Sequence, residues 1–168
     1  REFLLLFYAH ALHLHTRGSW TAFECVDVDR DRGLNTGYCP PAQMTIPTIT
    51  KWMLVFEDPM EETLWLCKAT PREWLADGEH VIVHDAPTRW GKLSMELHAD
   101  LKNGCVHGTI QIPKGTQKTI LRLRVPGNRR ITAMKINGAY VASTLIDEQS
   151  VLLPENCQGA ISVDVDML

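Results

Sequence analysis

The stretch 119–138, TILRLRVPGNRRITAMKING, contains the clearest fold signals in the chain. Apolar residues of 121–125 alternate with arginines, which is the period of two that a half-buried β-strand requires. The stretch ends in Asn137-Gly138, and both residues tolerate the positive φ of a type I′ hairpin turn. It therefore predicts a strand on each side of a turn region, followed by a hairpin.

The same period of two extends over most of the chain beyond Gly78. It predicts strands at 80–84, 92–99, 105–112, 119–125, 131–137, 139–145 and 160–166, with a weaker one at 150–153. Seven or eight short strands separated by turns are typical of a β-sandwich. We therefore expect residues 78–168 to form an antiparallel β-sandwich domain.

Residues 1–77 have helical periodicity instead. Residues 2–15 are apolar almost all round, which predicts a buried helix, and a second helix is predicted over 42–57. Two helices and the loop between them cannot bury the first helix, so this helical segment is expected to end a larger α-helical domain. The first helix has no initiator Met or capping residue before it, and we expect Arg1 to be a cut end. The predicted fold class is α+β.

Composition excludes several classes of function. The chain has 168 residues, 45% hydrophobic and 22% charged, with a formal net charge of -3, which argues against a nucleic-acid footprint or a polybasic membrane patch. The longest apolar stretch, 3–14, is too short and too polar to cross a bilayer. We therefore expect neither a nucleic-acid nor a membrane partner.

The five cysteines are odd in number and form no Cys-x-x-Cys pair, so structural zinc is not expected. Scattered thiols favour a reduced, cytoplasmic protein, and a bridge between Cys25 and Cys39 is the alternative in an oxidising compartment.

Several short sequence motifs are similar to motifs of a known group of enzymes and occur in the same order along the chain. They are HLH at 13–15, TRGSWTAFE at 16–24, YCPPAQ at 38–43, LWL at 64–66, PREWL at 71–75, APTRWG at 86–91, LRLRVP at 121–126 and ING at 136–138. Together they resemble the C-terminal end of glycoside hydrolases with an (α/α)6 barrel, the six-hairpin glycosidases, which often carry a trailing β-sandwich.

This resemblance implies that residues 1–77 include the last hairpin of the barrel. It also implies a carbohydrate substrate and an upstream barrel domain or larger helical polypeptide as partner. Four or more of the six hairpins are absent from this chain, so we expect it to be inactive by itself.

Glu24 is the candidate catalytic residue, because the loop 16–39 would border the sugar pocket of such a barrel. Glycoside hydrolysis uses two carboxyl groups, and the second would come from the missing part. Trp20 and Phe23 could desolvate Glu24 and stack on a sugar. The alternative interpretation is that Glu24 pairs with Arg17 or Arg30 to tie down the loop.

The residues around Glu24 are candidate substrate contacts. They are Arg17, Trp20, Tyr38, Gln43, His13 and His15. The alternative is that the aromatic residues pack the loop and that the histidines are buried and hydrogen-bonded.

No metal or cofactor is expected. Asp27, Asp29 and Asp31 alternate as in a calcium loop, but Arg32 and Tyr38 occupy positions where such a loop needs glycine and glutamate. We interpret these aspartates as a solvated acidic turn.

Two other functions remain open at this point. One is a non-catalytic carbohydrate- or protein-binding module, and the other is the partner subunit of a larger helical protein.

Overall fold

The computed structural model of the protein describes residues 2–27, 29–30, 32–34, 37–142, 144–155 and 157–168. The chain divides into two compact units, Arg1–Lys51 and Trp52–Leu168. Within the described residues, no helix has the length and apolar character needed to cross a membrane.

The N-terminal unit contains helix α1 (Glu2–His13), strands β1 (Cys25–Asp27) and β2 (Arg32–Leu34), and most of helix α2 (Pro40–Leu54). Strands β1 and β2 form an antiparallel hairpin. Helix α2 opens with two prolines, which the first helical turn tolerates because its N–H groups have no intrahelical acceptor.

Helix α1, whose apolar sequence predicts burial by a larger helical domain, is largely exposed in this chain by itself. Phe7 is its buried residue, whereas Leu5 and Leu6 are 71% and 70% exposed. The described part of the chain offers too little apolar surface to cover a helix that is apolar on every side.

The C-terminal unit is built from two sheets. Its strands are β3 (Val55–Asp58), β4 (Thr63–Leu66), β5 (His80–Thr88), β6 (Gly91–Asp100), β7 (Cys105–Ile112), β8 (Lys118–Arg122), β9 (Ile131–Ile136), β10 (Ala139–Tyr140), β11 (Thr144–Asp147), β12 (Ser150–Leu152) and β13 (Gly159–Met167). One sheet has the order β10-β9-β13-β7-β6-β5, and the other has the order β11-β12-β8-β4-β3. The predicted α+β class with a β-sandwich is confirmed.

The sandwich departs from the purely antiparallel arrangement in one place. Strand β4 runs parallel to β8, with Leu64 opposite Thr119, while β3 and β4 form an antiparallel hairpin. This hairpin lies inside the segment 1–77 that the sequence assigns to the helical part. The predicted second helix consequently ends at Leu54 and not at Glu57, because Val55–Asp58 pairs as a strand.

The core of the C-terminal unit follows the alternation of its strands. In β13, the residues Ile161, Val163, Val165 and Met167 are buried in one cluster, which also includes Leu121 of the other sheet. The hairpin predicted at Asn137-Gly138 is present, with φ of 51° and 78°. The strand predicted over 139–145 instead divides into β10 and β11, which belong to different sheets.

Candidate functional site

The loop that follows α1 is held by a network of hydroxyl groups. The Oγ1 atom of Thr16 lies 2.7 Å from Ser19 Oγ and 2.6 Å from Thr21 Oγ1. The backbone N–H of Trp20 donates to Thr16 O at 3.1 Å, and Trp20 has a φ of 58°. This conformation is uncommon for a bulky residue, so the network fixes Trp20 in a position that the free chain rarely adopts.

The Trp20 ring stacks on the buried ring of His15. Their centroids are 4.7 Å apart at an interplanar angle of 29°. His15 is 5% exposed and its backbone bridges to Ala22, while Trp20 is 47% exposed. One part of the Trp20 indole ring is therefore exposed to solvent, while the ring stacks on the buried imidazole of His15.

His10 joins this pair from the last turn of α1. Its ring centroid is 5.8 Å from that of His15. Burial lowers the pKa of His10, the nearby His15 lowers it further, and a hydrogen bond with the backbone of Ala42 opposes the shift. The lowered pKa favours a neutral imidazole at His10 near pH 7.

Three ring nitrogens of His10 and His15 have no hydrogen-bond partner among the described residues. His10 Nε2, His15 Nδ1 and His15 Nε2 are buried and make no hydrogen bond to any described residue. A neutral imidazole carries one donor and one acceptor, and a buried polar atom without a partner costs about 1–3 kcal/mol. The three atoms therefore have hydrogen-bonding capacity that the described residues leave unused.

Glu24 lies beyond this pair and is exposed. The preceding residue, Phe23, is anchored by its N–H to Leu14 O at 3.2 Å, and its ring occupies the space beside Gly33 of β2. The Phe23 ring therefore packs against the β1–β2 hairpin.

The alternative interpretation pairs Glu24 with Arg17 or Arg30, and among the described residues Arg30 forms an ion pair with Asp27. Arg30 Nη1 lies 3.3 Å from Asp27 Oδ2, and Arg32 Nε lies 3.7 Å from the same atom. Asp27 therefore balances both arginines of the acidic turn. Asp31 of that turn lies outside the described residues.

The other candidate contacts are spread around the loop. Arg17 and Tyr38 are exposed, whereas His13 and Gln43 are half-buried. The described contacts bring only His15 and Trp20 of the candidates together. His10 was missed as a site residue, although its spacing from His13 and His15 was the signal that could have indicated it.

The described residues were also compared with the ligand sets that hold metal ions in proteins. Among the residues that the structure describes, no group of three or more His, Cys, Asp or Glu side chains is arranged to hold a metal ion. All five cysteines are free thiols, so Cys25 and Cys39 are not bridged.

A second polar feature lies on the six-stranded sheet of the C-terminal unit. His80, His98 and His107 stand opposite one another on β5, β6 and β7, with ring centroids 5.6 and 5.7 Å apart. His98 Nε2 lies 2.8 Å from Glu96 Oε1. A shallow groove of about 370 Å³ runs beside this row, lined in part by Thr109.

No protein-family model matches the chain, and a search of curated proteins finds no relative. Among solved structures, it is similar to the GH127 beta-L-arabinofuranosidase Ara127N-Se from Geobacillus stearothermophilus T6, with 18% identity, a TM-score of 0.42, and coverage of 76% of this chain and 18% of that chain. It is also similar to a protein named only as a glycoside hydrolase, with 16% identity, a TM-score of 0.45, and coverage of 96% of this chain and 29% of that chain. The chain spans less than a third of the length of either structure. Both structures carry names of glycoside hydrolases.

Proposed function

We propose that this chain is the C-terminal segment of a glycoside hydrolase and that its N-terminal unit contributes one wall of a sugar-binding pocket. One observation carries the proposal: the exposed Trp20 ring stacked on His15, beside buried imidazole nitrogens that have no partner in the described chain. Ligand sites typically combine apolar aromatic surface with a few fixed polar groups. A sugar needs both, since its C–H face packs on a ring and its hydroxyls need hydrogen bonds.

Around this pair, the other loop residues would complete the contacts to the sugar. Arg17, Tyr38, His13 and Gln43 lie in the loop 16–39 or near it in the sequence, and their side chains offer a charged donor, a phenol, an imidazole and an amide. These groups suit hydroxyl recognition. The C-terminal β-sandwich would support this wall without taking part in the reaction.

Glu24 would perform proton transfer together with a second carboxylate that this chain does not contain. In hydrolysis of a glycosidic bond, one carboxyl group protonates the leaving oxygen and the other acts as a base or nucleophile. Glu24 is exposed here, so the opposite wall of the pocket must cover it before it can act as an acid. Water is the only other reactant that this reaction needs.

The partner that supplies the opposite wall would be a larger helical domain or polypeptide. The exposed apolar side chains of α1, among them Leu5, Leu6 and Leu12, favour it, because a helical neighbour would remove them from water.

The experiment uses the full-length enzyme that contains this chain, assayed on a panel of nitrophenyl glycosides that includes the β-L-arabinofuranoside. We expect Glu24→Gln to lower kcat/KM about 10²–10⁴-fold, the usual contribution of general acid–base catalysis. Trp20→Ala should raise KM. Glu79→Gln, which removes the same charge at an exposed position of the sandwich, is the matched control. Near-normal turnover of Glu24→Gln would refute its catalytic role.

The second candidate function is a non-catalytic carbohydrate-binding module, which the groove beside His98 and His107 favours. A fragment 79–168 would lack β3 and β4, so the whole chain should be used. On a glycan array, loss of binding in His107→Ala would indicate the module. Loss of binding in Trp20→Ala would indicate the loop of the N-terminal unit.

A further inference from the structure

An unassigned cluster of arginines lies on the C-terminal unit, where β8 ends. It borders a groove of about 370 Å³, which we call the arginine groove. The groove is lined by Arg72, Arg122, Asn128, Asp147, Glu148 and Gln149. None of these residues belongs to the loop on which the proposed function depends.

Arg72 is held in place by two hydrogen bonds. Its Nη1 donates to Val125 O at 2.9 Å, and its Nη2 donates to Gln149 Oε1 at 3.3 Å. A guanidinium has five N–H donors in a rigid fork, so these bonds orient Arg72 without using all of its donors.

Arg122, the last residue of β8, has a donor without an acceptor. Its Nε atom is buried and makes no hydrogen bond in the described structure. Its Nη2 forms an ion pair with Asp147 Oδ2 at 3.9 Å, a distance too long for a hydrogen bond, and Asp147 is exposed, so solvent screens the pair. Asp147 instead accepts from the backbone N–H of Gln149 at 2.8 Å and from Ser150 Oγ at 3.0 Å.

Arg124 adds a third guanidinium close by. Its Nη1 donates to Thr70 O at 3.4 Å. Burial lowers the pKa of Arg124, the neighbouring Arg72 and Arg122 lower it further, and Glu73 opposes the shift. Glu73 and Glu148 are exposed, so solvent screens their charges.

We propose that the arginine groove binds a small oxyanion, a carboxylate or a phosphate, between Arg122 and Arg72. Two adjacent oxygens of such an anion match the fork formed by Nε and a terminal nitrogen of arginine. After a small rotation of the Arg122 side chain, which is 32% exposed, the anion would give Nε the acceptor that it lacks, and it would reduce the repulsion between Arg122 and Arg72.

The test is titration calorimetry of the whole chain with inorganic phosphate and, separately, with glucuronate, at constant ionic strength. We expect saturable binding that Arg122→Gln weakens about tenfold or more, the factor typical of a hydrogen bond to a charged group. Lys114→Gln removes the same charge at an exposed position and should bind normally. Tighter binding of phosphate or of glucuronate identifies which type of oxyanion the groove prefers.

A second measurement uses the unmodified chain, so its result does not depend on whether a variant folds. The Nε–H resonance of Arg122 should shift in proportion to saturation when the anion is added to the unmodified chain. The Arg122→Lys variant keeps the charge but loses the fork, so its binding should also weaken. An unmoved Nε–H resonance, or equal affinity in Arg122→Gln and Lys114→Gln, would overturn the proposal.

Discussion

Leu64→Ala tests whether the β3–β4 hairpin is part of the sandwich core. Leu64 is fully buried in β4, between β3 and β8, and belongs to the core cluster of the C-terminal unit. Truncating a leucine at such a site removes the transfer free energy of the lost carbons and leaves a cavity, which together cost about 3 kcal/mol. For a unit of this size, that corresponds to a Tm lowered by about 10 °C.

The assay is urea unfolding of the whole chain, with amide exchange in β8 and β13 reporting the C-terminal unit. Leu145→Ala is the matched control, because Leu145 lies on β11 of the same sheet and is 48% exposed. The control should cost less than about 0.5 kcal/mol. If Leu64→Ala cost no more than Leu145→Ala, the hairpin would not be packed in the core and the assignment of β3 and β4 to the sandwich would be refuted.

Four further predictions concern the titration of His10 and of Cys67, thiol reactivity and a turn. Folding lowers the pKa of His10, so the unfolded chain takes up a proton at this residue at a higher pH than the folded chain does. The free energy of unfolding should therefore fall as the pH drops below about 6.5. Urea unfolding of His10→Gln should show a smaller fall of this free energy over the same pH range. Burial raises the pKa of Cys67 to about 12, so iodoacetamide should modify the exposed Cys25 first and reach Cys67 only after unfolding, as peptide mass mapping would reveal. By the same linkage, ionisation of the Cys67 thiol in the unfolded chain should reduce stability as the pH rises above about 8.5, an effect that Cys67→Ala abolishes. Gly138 has a φ of 78°, so Gly138→Ala should cost about 1 kcal/mol in thermal unfolding, and an unchanged Tm would contradict the type I′ assignment.

The candidate site was only partly predictable from the sequence. His15 and Trp20 were both predicted to contact the substrate. Their stacking on each other depends on the positive φ of Trp20 and on the hydroxyl network of Thr16. Neither this backbone angle nor this hydrogen-bond network can be predicted from the pattern of residues in the sequence. The desolvation of Glu24 by Trp20 and Phe23 stays a prediction, and the packing of the Phe23 ring beside Gly33 is a contact that the sequence pattern did not indicate.

The α+β class, most strands of the sandwich and the Asn137-Gly138 hairpin could be predicted from local sequence. These features depend on local alternation and turn chemistry, which neighbouring residues encode. Long-range pairing was needed to show that β3 and β4 join the sandwich. Their short apolar segments also suit a helix, and the parallel pairing of β4 with β8 joins segments more than 50 residues apart. The pairing buries Val55 of β3 and most of β4, and that gain, which no local pattern records, decides their conformation.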